Sequence, residues 1–338
     1  MQSSTSKPTA PDRRCGCRQA SLLAAFVLSV LAPWPAKLSA DFLQDWAQQF
    51  ADSEIRFQRS TSQVPFPPLA YADVSYYGDT EIRLQEDAAA ITFDQRNVSQ
   101  AAGVPLLLSP RDALVVGEWV SWSNFDVNET QGAAEALDAT DFDVLTIGLP
   151  IGWFRQASPD WQTAAFVMPL AHRASFAGAD WSFEWMGGAF ARYVHNERLW
   201  WAFGLFADVG PGFDLYLPYA GVSWAVDDHW TVSAVMPWPA LLYAPNPDTL
   251  WRLGLSPSGA SWSIDRSAGE ASLDLGGWDF GLGYERRLAG PFWARMEAGI
   301  SGLRGLTLNS NGSSAPELDH GSAWFVSLSL NLRPTALD

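Results

Sequence analysis

The chain has 338 residues, 48% hydrophobic and 13% aromatic, with only 17% charged side chains against about 25% in ordinary soluble domains. That balance excludes a disordered chain, and 21 Lys plus Arg against 37 Asp plus Glu excludes a nucleic-acid binder, which needs cations to meet phosphates. The two cysteines, Cys15 and Cys17, lie near the start, so no disulfide framework or cysteine metal site is available beyond them.

In chain order, residues 1–40 read as an export signal. Arg13, Arg14 and Arg18 precede a largely apolar run over residues 22–32; Pro33 and Pro35 then break it, and Ala40 precedes the expected cut at Asp41. The run is shorter than the about 20 residues a membrane-crossing helix needs. This segment carries Lys7, Arg13, Arg14, Arg18 and Lys37 against Asp12, a net +4, so residues 41–338 stand at −20 when the whole chain is at −16. Beyond it there is no Lys and no Cys.

Residues 41–70 form the next unit. Leu43, Trp46, Ala47 and Phe50 recur at helical spacing over residues 41–53, and Val64-Pro65-Phe66-Pro67-Pro68 then makes a stiff extended linker.

From Tyr71 to Arg333 the period is two. Trp278, Phe280, Leu282 and Tyr284 alternate with Asp279, Gly281, Gly283 and Glu285. Phe292, Ala294, Met296, Ala298 and Ile300 alternate with Trp293, Arg295, Glu297, Gly299 and Ser301, and Trp324, Val326, Leu328, Leu330 and Leu332 with Ser327, Ser329, Asn331 and Arg333. Such alternation sets one face in an apolar medium and the other in a polar one. Leu273 and Leu275 have the opposite parity to Trp278, so a bulge is expected at Gly276-Gly277.

Connections alternate as well. Short polar turns fall at residues 109–112, 158–160, 195–198, 226–229 and 288–291, and longer links at 126–141, 173–180, 208–214, 265–270 and 309–320. The pattern predicts an all-β transmembrane antiparallel up-and-down β-barrel of 14 strands with short periplasmic turns and longer extracellular loops. Twelve strands is the alternative, because Pro237, Pro239, Pro245, Pro247 and Pro257 interrupt residues 230–264. Residues 334–338 form a tail.

Lipid is the expected apolar medium. Many strands exceed the ~5–6 residues usual in soluble sheets. Trp119, Trp122, Trp181, Trp185, Trp200, Trp201, Trp224, Trp230, Trp262, Trp278, Trp293 and Trp324 mark strand ends, where membrane interfaces select amphipathic rings. A soluble exported Trp-rich β-protein that binds glycans is the competing reading.

These residues resemble bacterial, Gram-negative outer-membrane β-barrel proteins over about residues 71–333. The stretch from Met236 through Pro237, Trp238, Pro239 and on to Leu255 is similar to one group of predicted outer-membrane barrels, as are residues 278–287 with 292–299. The resemblance implies an outer-membrane location, with membrane lipid, lipopolysaccharide and the barrel assembly machinery as partners. It implies no catalytic activity.

The chemistry agrees with a non-enzyme. No phosphate loop, zinc helix or Gly-x-Ser-x-Gly elbow is present, and no cofactor or metal site is expected. Of His172, His195, His229 and His320, only His320 with Ser322 and Asn311 offers a rim arrangement for a lipid-acting enzyme, a secondary reading. Glu184, Arg192, Arg252, Asp274, Asp279, Glu285, Arg295 and Glu297 share the polar face and are the candidate lumen-facing residues. They would either salt-bridge a filled structural barrel or line a passive pore for small solutes or ions. The net charge and the acidic stretch 124–143 would make such a pore prefer cations.

Overall fold

The computed structural model describes residues 48–50, 52–55, 62–65, 67–83, 90–131, 141–175, 181–210, 214–258, 260–266, 269–310, 313–314 and 321–333. Within these, the side chains of 82–83, 90–91, 129–131, 260–266, 269–274, 305–310 and 313–314 are not described. The export signal expected over residues 1–40 and the tail at 334–338 lie outside the described residues.

The strands in chain order are β1 Ala70–Arg83, β2 Ala90–Ser109, β3 Asp112–Gln131, then β4, which is Phe142–Gly148 resumed as Ile151–Gln156. Next come β5 Trp161–Ala174, β6 Ser182–Asn196, β7 Leu199–Val209, β8 Asp214–Ala225, β9 Trp230–Val235 and β10 Ala240–Asn246. The series ends with β11, which is Thr249–Pro257 resumed as Ala260–Arg266, β12 Gly269–Ala289, β13 Phe292–Ser310 and β14 Gly321–Leu332. The two parts of β4 share both neighbours, and the two parts of β11 run in one register along β12, so each counts once.

Every strand pairs antiparallel with the next, and β1 pairs with β14 from Ala70↔Leu332 to Gly78↔Trp324. The sheet therefore closes into a 14-stranded up-and-down barrel with no free edge along the seam. The strands over 230–264 are present as β9, β10 and β11, so the count is 14 and not 12.

Alternation in the sequence becomes alternation across the wall. On β14 the side chains of Trp324, Val326, Leu328 and Leu330 are exposed, whereas Ala323, Phe325 and Asn331 are buried. Phe183 at 66% exposure, Ile300 at 59% and Tyr216 at 58% show how much apolar surface the outer face carries. A water-soluble protein does not leave such a band open; a bilayer covers it. Outward-facing rings pair close to the short turns: Trp161 with Tyr193 at 5.0 Å, Trp230 with Tyr243 at 4.4 Å and Trp251 with Tyr284 at 4.6 Å. Tyr76 meets Trp324 at 5.1 Å farther up the wall. These are the aromatic belts of an outer-membrane barrel.

The short turns, at 110–111, 157–160, 197–198, 226–229, 247–248 and 290–291, share one end with both ends of the strand series, which marks the periplasmic side. The residues between the barrel strands at the other end are 84–89, 132–141, 175–181, 210–213, 236–239, 267–268 and 311–320, the last including the two-residue strand Ser313–Ser314 that pairs back onto Asn309 and Ser310.

Two details depart from expectation. The register shift foreseen at Gly276-Gly277 is there, but its extra residue belongs to β13. The pairing of β13 shifts on both sides, between Gly302 and Gly305 against β12 and between Ser301 and Arg304 against β14; Leu303 is left-handed at φ 54, and β11 pairs with β12 unbroken in register. Leu275 thus keeps the parity of Asp279 and is buried. The second concerns the segment before β1. Residues 48–50 are helical, and Phe50 and Ile55 bury against Leu107, Ala113 and Phe154 on β2, β3 and β4. Glu54 donates its N–H to the Pro110 carbonyl and pairs with Arg111 at 2.5 Å. Gln63 donates its N–H to Asp228, in the turn between β8 and β9.

Candidate functional site

The inner face of the wall is identified by bonds that only a concave surface permits. The Tyr77 hydroxyl on β1 donates to Asp279 on β12 at 2.7 Å, past β13 and β14, and Arg304 on β13 donates to Gln95 on β2, past β14 and β1. Side chains of this parity face the lumen.

One side of the lumen, from β11 through β14 to β1, carries charge. Starting at the periplasmic rim, Trp293 is 1% exposed and lies between the guanidinium groups of Arg287 and Arg333, each 5.3 Å from its ring. Arg333 donates to Glu285, and Arg295 lies 3.8 Å from the same carboxylate. Arg295 also pairs with Glu297, whose other oxygen accepts from Arg252 at 3.3 Å. Asp73 accepts from Ser327 at 2.7 Å. Above them, Asp279 accepts from Ser258 at 2.7 Å and from Tyr77, and Arg304 covers the Tyr77 ring at 4.4 Å. Glycines make room for this ladder: a Cβ on Gly254 would meet the Arg252 guanidinium at 2.9 Å. Alternating signs satisfy each other, as buried charges must.

The facing side, β5 to β8, is apolar and aromatic between two polar ends. Phe166 stacks on Phe190 at 5.9 Å, Phe206 follows at 6.4 Å from Phe166, and Tyr219 meets Phe190 edge-on at 5.0 Å. Phe190 lies over glycines; a Cβ on Gly204 would meet its ring at 2.6 Å. All four rings keep part of their surface open to the lumen. At the periplasmic end, Arg192 covers the Trp200 ring at 4.6 Å and donates to Gln162, which donates to Gln156 at 2.8 Å. At the outer end, the Thr146 hydroxyl meets His172 Nδ1 at 2.9 Å, and His172 Nε2 meets Glu184 at 3.1 Å, with Asp208 beside that carboxylate.

Of the residues singled out from sequence, Glu184, Arg192, Arg252, Asp279, Glu285, Arg295 and Glu297 occupy this inner face. Five of them, on β11 to β13, lie along the charged side, and Glu184 and Arg192 lie at opposite ends of the aromatic one. The Asp274 backbone pairs with Ser261 and Thr307, and its side chain is outside the described residues, as are His320 and Asn311. His172, to which the sequence alone assigns no role, is buried at 4% exposure, and its parity with Met168 and Leu170 is the signal that would have placed it on the inner face. Trp119, Trp200 and Trp293 face inward and do not belong to the interface belts. No group of metal-ligating side chains that could hold an ion is found among the described residues.

No protein-family model and no curated protein matches the sequence. Among solved structures, an outer-membrane channel from Pseudomonas putida F1 is similar at 13% identity and a TM-score of 0.43, over 79% of this chain and 96% of that one. A mutant of the monoaromatic hydrocarbon channel TodX is similar at 10% identity and a TM-score of 0.42, over 79% and 91%. The Ralstonia pickettii toluene transporter TbuX is similar at 8% identity and a TM-score of 0.42, over 82% and 92%.

Proposed function

We propose that this barrel is an outer-membrane channel for small solutes that carry an apolar, ring-like part. The observation that supports it is the row of Phe166, Phe190, Phe206 and Tyr219, which is partly open to the lumen and faces the ion-paired ladder on the other side. A purely structural barrel would bury such rings against a facing apolar wall. A general aqueous pore has no use for them, because they offer water no hydrogen bonds. A solute with one flat face slides along the rings and keeps its polar end hydrated against the charged side.

Lumen acids and arginines largely neutralise each other on this reading. The cation preference expected from net charge then rests on the acidic stretch at the outer end and is weak. Membrane lipid and lipopolysaccharide surround the wall, and the barrel assembly machinery inserts it.

The test is influx into liposomes reconstituted with the full barrel, comparing phenyl glucoside with glucose. Phenyl glucoside is the larger solute, so faster entry of it supports an aromatic track. Equal or slower entry overturns the solute class. Entry of neither supports a filled structural barrel instead.

A further inference from the structure

On the charged side of the lumen each closed-off glutamate has its arginines: Glu285 has Arg333, and Glu297 has Arg295 and Arg252. Glu184, at the outer end of the aromatic side, is different. It is 4% exposed, its partners are His172 and Asp208, and no arginine pairs with it among the described residues. The lumen-facing arginine of its own strand, Arg192, stands eight residues away, about 26 Å at ~3.3 Å per residue. Residues 41–338 contain no lysine that could take its place.

Donors and acceptors in this group match with an uncharged imidazole. The Thr146 hydroxyl donates to His172 Nδ1, the Nε2–H donates to Glu184, and the Asp208 carboxyl hydrogen-bonds the same Glu184 group. Two carboxyl groups joined by a hydrogen bond hold one proton between them, so the pair keeps one negative charge. No side chain of opposite sign meets that charge among the described residues, although a closed-off charge is stable only when it is paired.

The surroundings are shaped to admit a partner. Ser182 lies directly across from His172 on the same inner face; it is 8% exposed, and its hydroxyl has no hydrogen-bond partner. Gly210, the next position on that face beyond Asp208, brings no side chain, and a Cβ there would stand 3.7 Å from the Glu184 carboxylate. Asp208 is the partly open member of the pair, and Phe206 lies two residues from it on the same face of β7, roughly 7 Å along the strand. The aromatic row therefore ends, at its outer end, on an unpaired negative charge with an unused hydroxyl beside it.

We propose that Glu184, Asp208 and Ser182 form a binding site for the cationic end of an aromatic solute, one that carries an ammonium, amidinium or guanidinium group. Its N–H donors meet the two carboxyl groups and the Ser182 hydroxyl, while its ring lies against Phe206. The proposal rests on the reading of the lumen as a path for solutes with a ring-like part. It adds which of those solutes are held at the outer end, and that aromatic anions are not.

The test is calorimetric titration of the full barrel in detergent with benzamidinium, benzamide and benzoate, which share a ring and a planar head and differ in charge. Benzamidinium should bind at least about tenfold more tightly than benzamide, and benzoate more weakly than either. Glu184→Gln, which is nearly isosteric, and Asp208→Asn, at the partly open position, should each bring the ratio of benzamidinium to benzamide affinity to within about twofold of one. Ser182→Ala removes a hydroxyl that nothing in the wall uses, so it should leave the heat-modifiable gel band unchanged and lower the ratio about threefold. Equal binding of benzamidinium and benzamide, or no binding of benzamidinium, overturns the site; if phenyl glucoside still enters faster than glucose, the channel reading stands. A ratio that survives both Glu184→Gln and Asp208→Asn puts the cation elsewhere and overturns the site as well. Benzamidinium held through Glu184 in a barrel where phenyl glucoside gains nothing over glucose supports the site and overturns the channel reading.

Discussion

The two sides of the lumen solve the same problem by opposite chemistry. From β11 to β14, long charged side chains lie over glycines and complete one another's hydrogen bonds, Arg333 to Glu285, Arg295 to Glu297 and Arg252 to Glu297. From β5 to β8, rings lie over glycines and leave a smooth surface, Phe190 on Gly204 and Gly188. A charge ladder is cooperative, since removing one member strands its neighbours; a ring row is additive, since each ring loses only its own contacts. The difference teaches that this inner wall is held together on one side and kept available on the other.

The comparison breaks most visibly at Glu285. Glu285→Ala leaves Arg333 and Arg295 without their shared carboxylate at a nearly closed position, and should cost about 3 kcal/mol. The urea midpoint of the heat-modifiable gel band measures this, and an unchanged midpoint would mean the ladder is ornamental. Phe190→Ala should cost less, about 1–2 kcal/mol, because the ring is only partly enclosed and falls short of the core value. Its sharper effect is on transport: phenyl glucoside should enter no faster than glucose.

A smaller effect is expected at Arg252. Arg252→Gln leaves Glu297 with Arg295 alone, and the reversal potential under a salt gradient should move towards cations, by about twofold in permeability ratio. A shift towards anions would contradict the balance of charges described above. The smallest effect lies outside the wall. In the turn at 226–229, the Asp227 carboxylate accepts the N–H groups of His229 and Trp230, both at 2.8 Å, and these hold it below the usual carboxylate range. A depressed folded value means the contribution is present above the ordinary carboxylate range and is lost as pH falls through the folded one. Asp227→Asn should therefore narrow the difference between unfolding midpoints at neutral and strongly acidic pH, and barely change anything else.

What was legible in the sequence is what each residue reports about itself. Trp324 to Leu332 and Phe292 to Ile300 state their own face through period two, and the polar turns state where strands end. Who meets whom around the circumference is not local. Tyr77 and Asp279 are 202 residues apart and touch only because the sheet closes. His172 is the same case, because nothing in its neighbourhood in the sequence names Thr146 and Glu184 as partners. The prolines between 230 and 264 leave the strand count open when read in sequence; in the structure Pro237, Pro239 and Pro257 mark where pairing stops around the tip of the short hairpin, and Pro245 and Pro247 lie at its periplasmic end. The bulge at Gly276-Gly277 was seen from one strand, and the partner carrying the extra residue could not be.

The segment before β1 bears on assembly. Its anchors are spread round the barrel: Phe50 and Ile55 need the inner faces of β2, β3 and β4, Gln63 needs the turn between β8 and β9, and Leu69 donates to the Leu332 carbonyl at the end of β14. The stretch of chain made before every strand therefore has all its anchors only after the last strand has joined the first. Protection of residues 48–69 from a protease added on the periplasmic side should appear when the seam between β1 and β14 closes, which makes this segment a natural clock for the completion of the barrel.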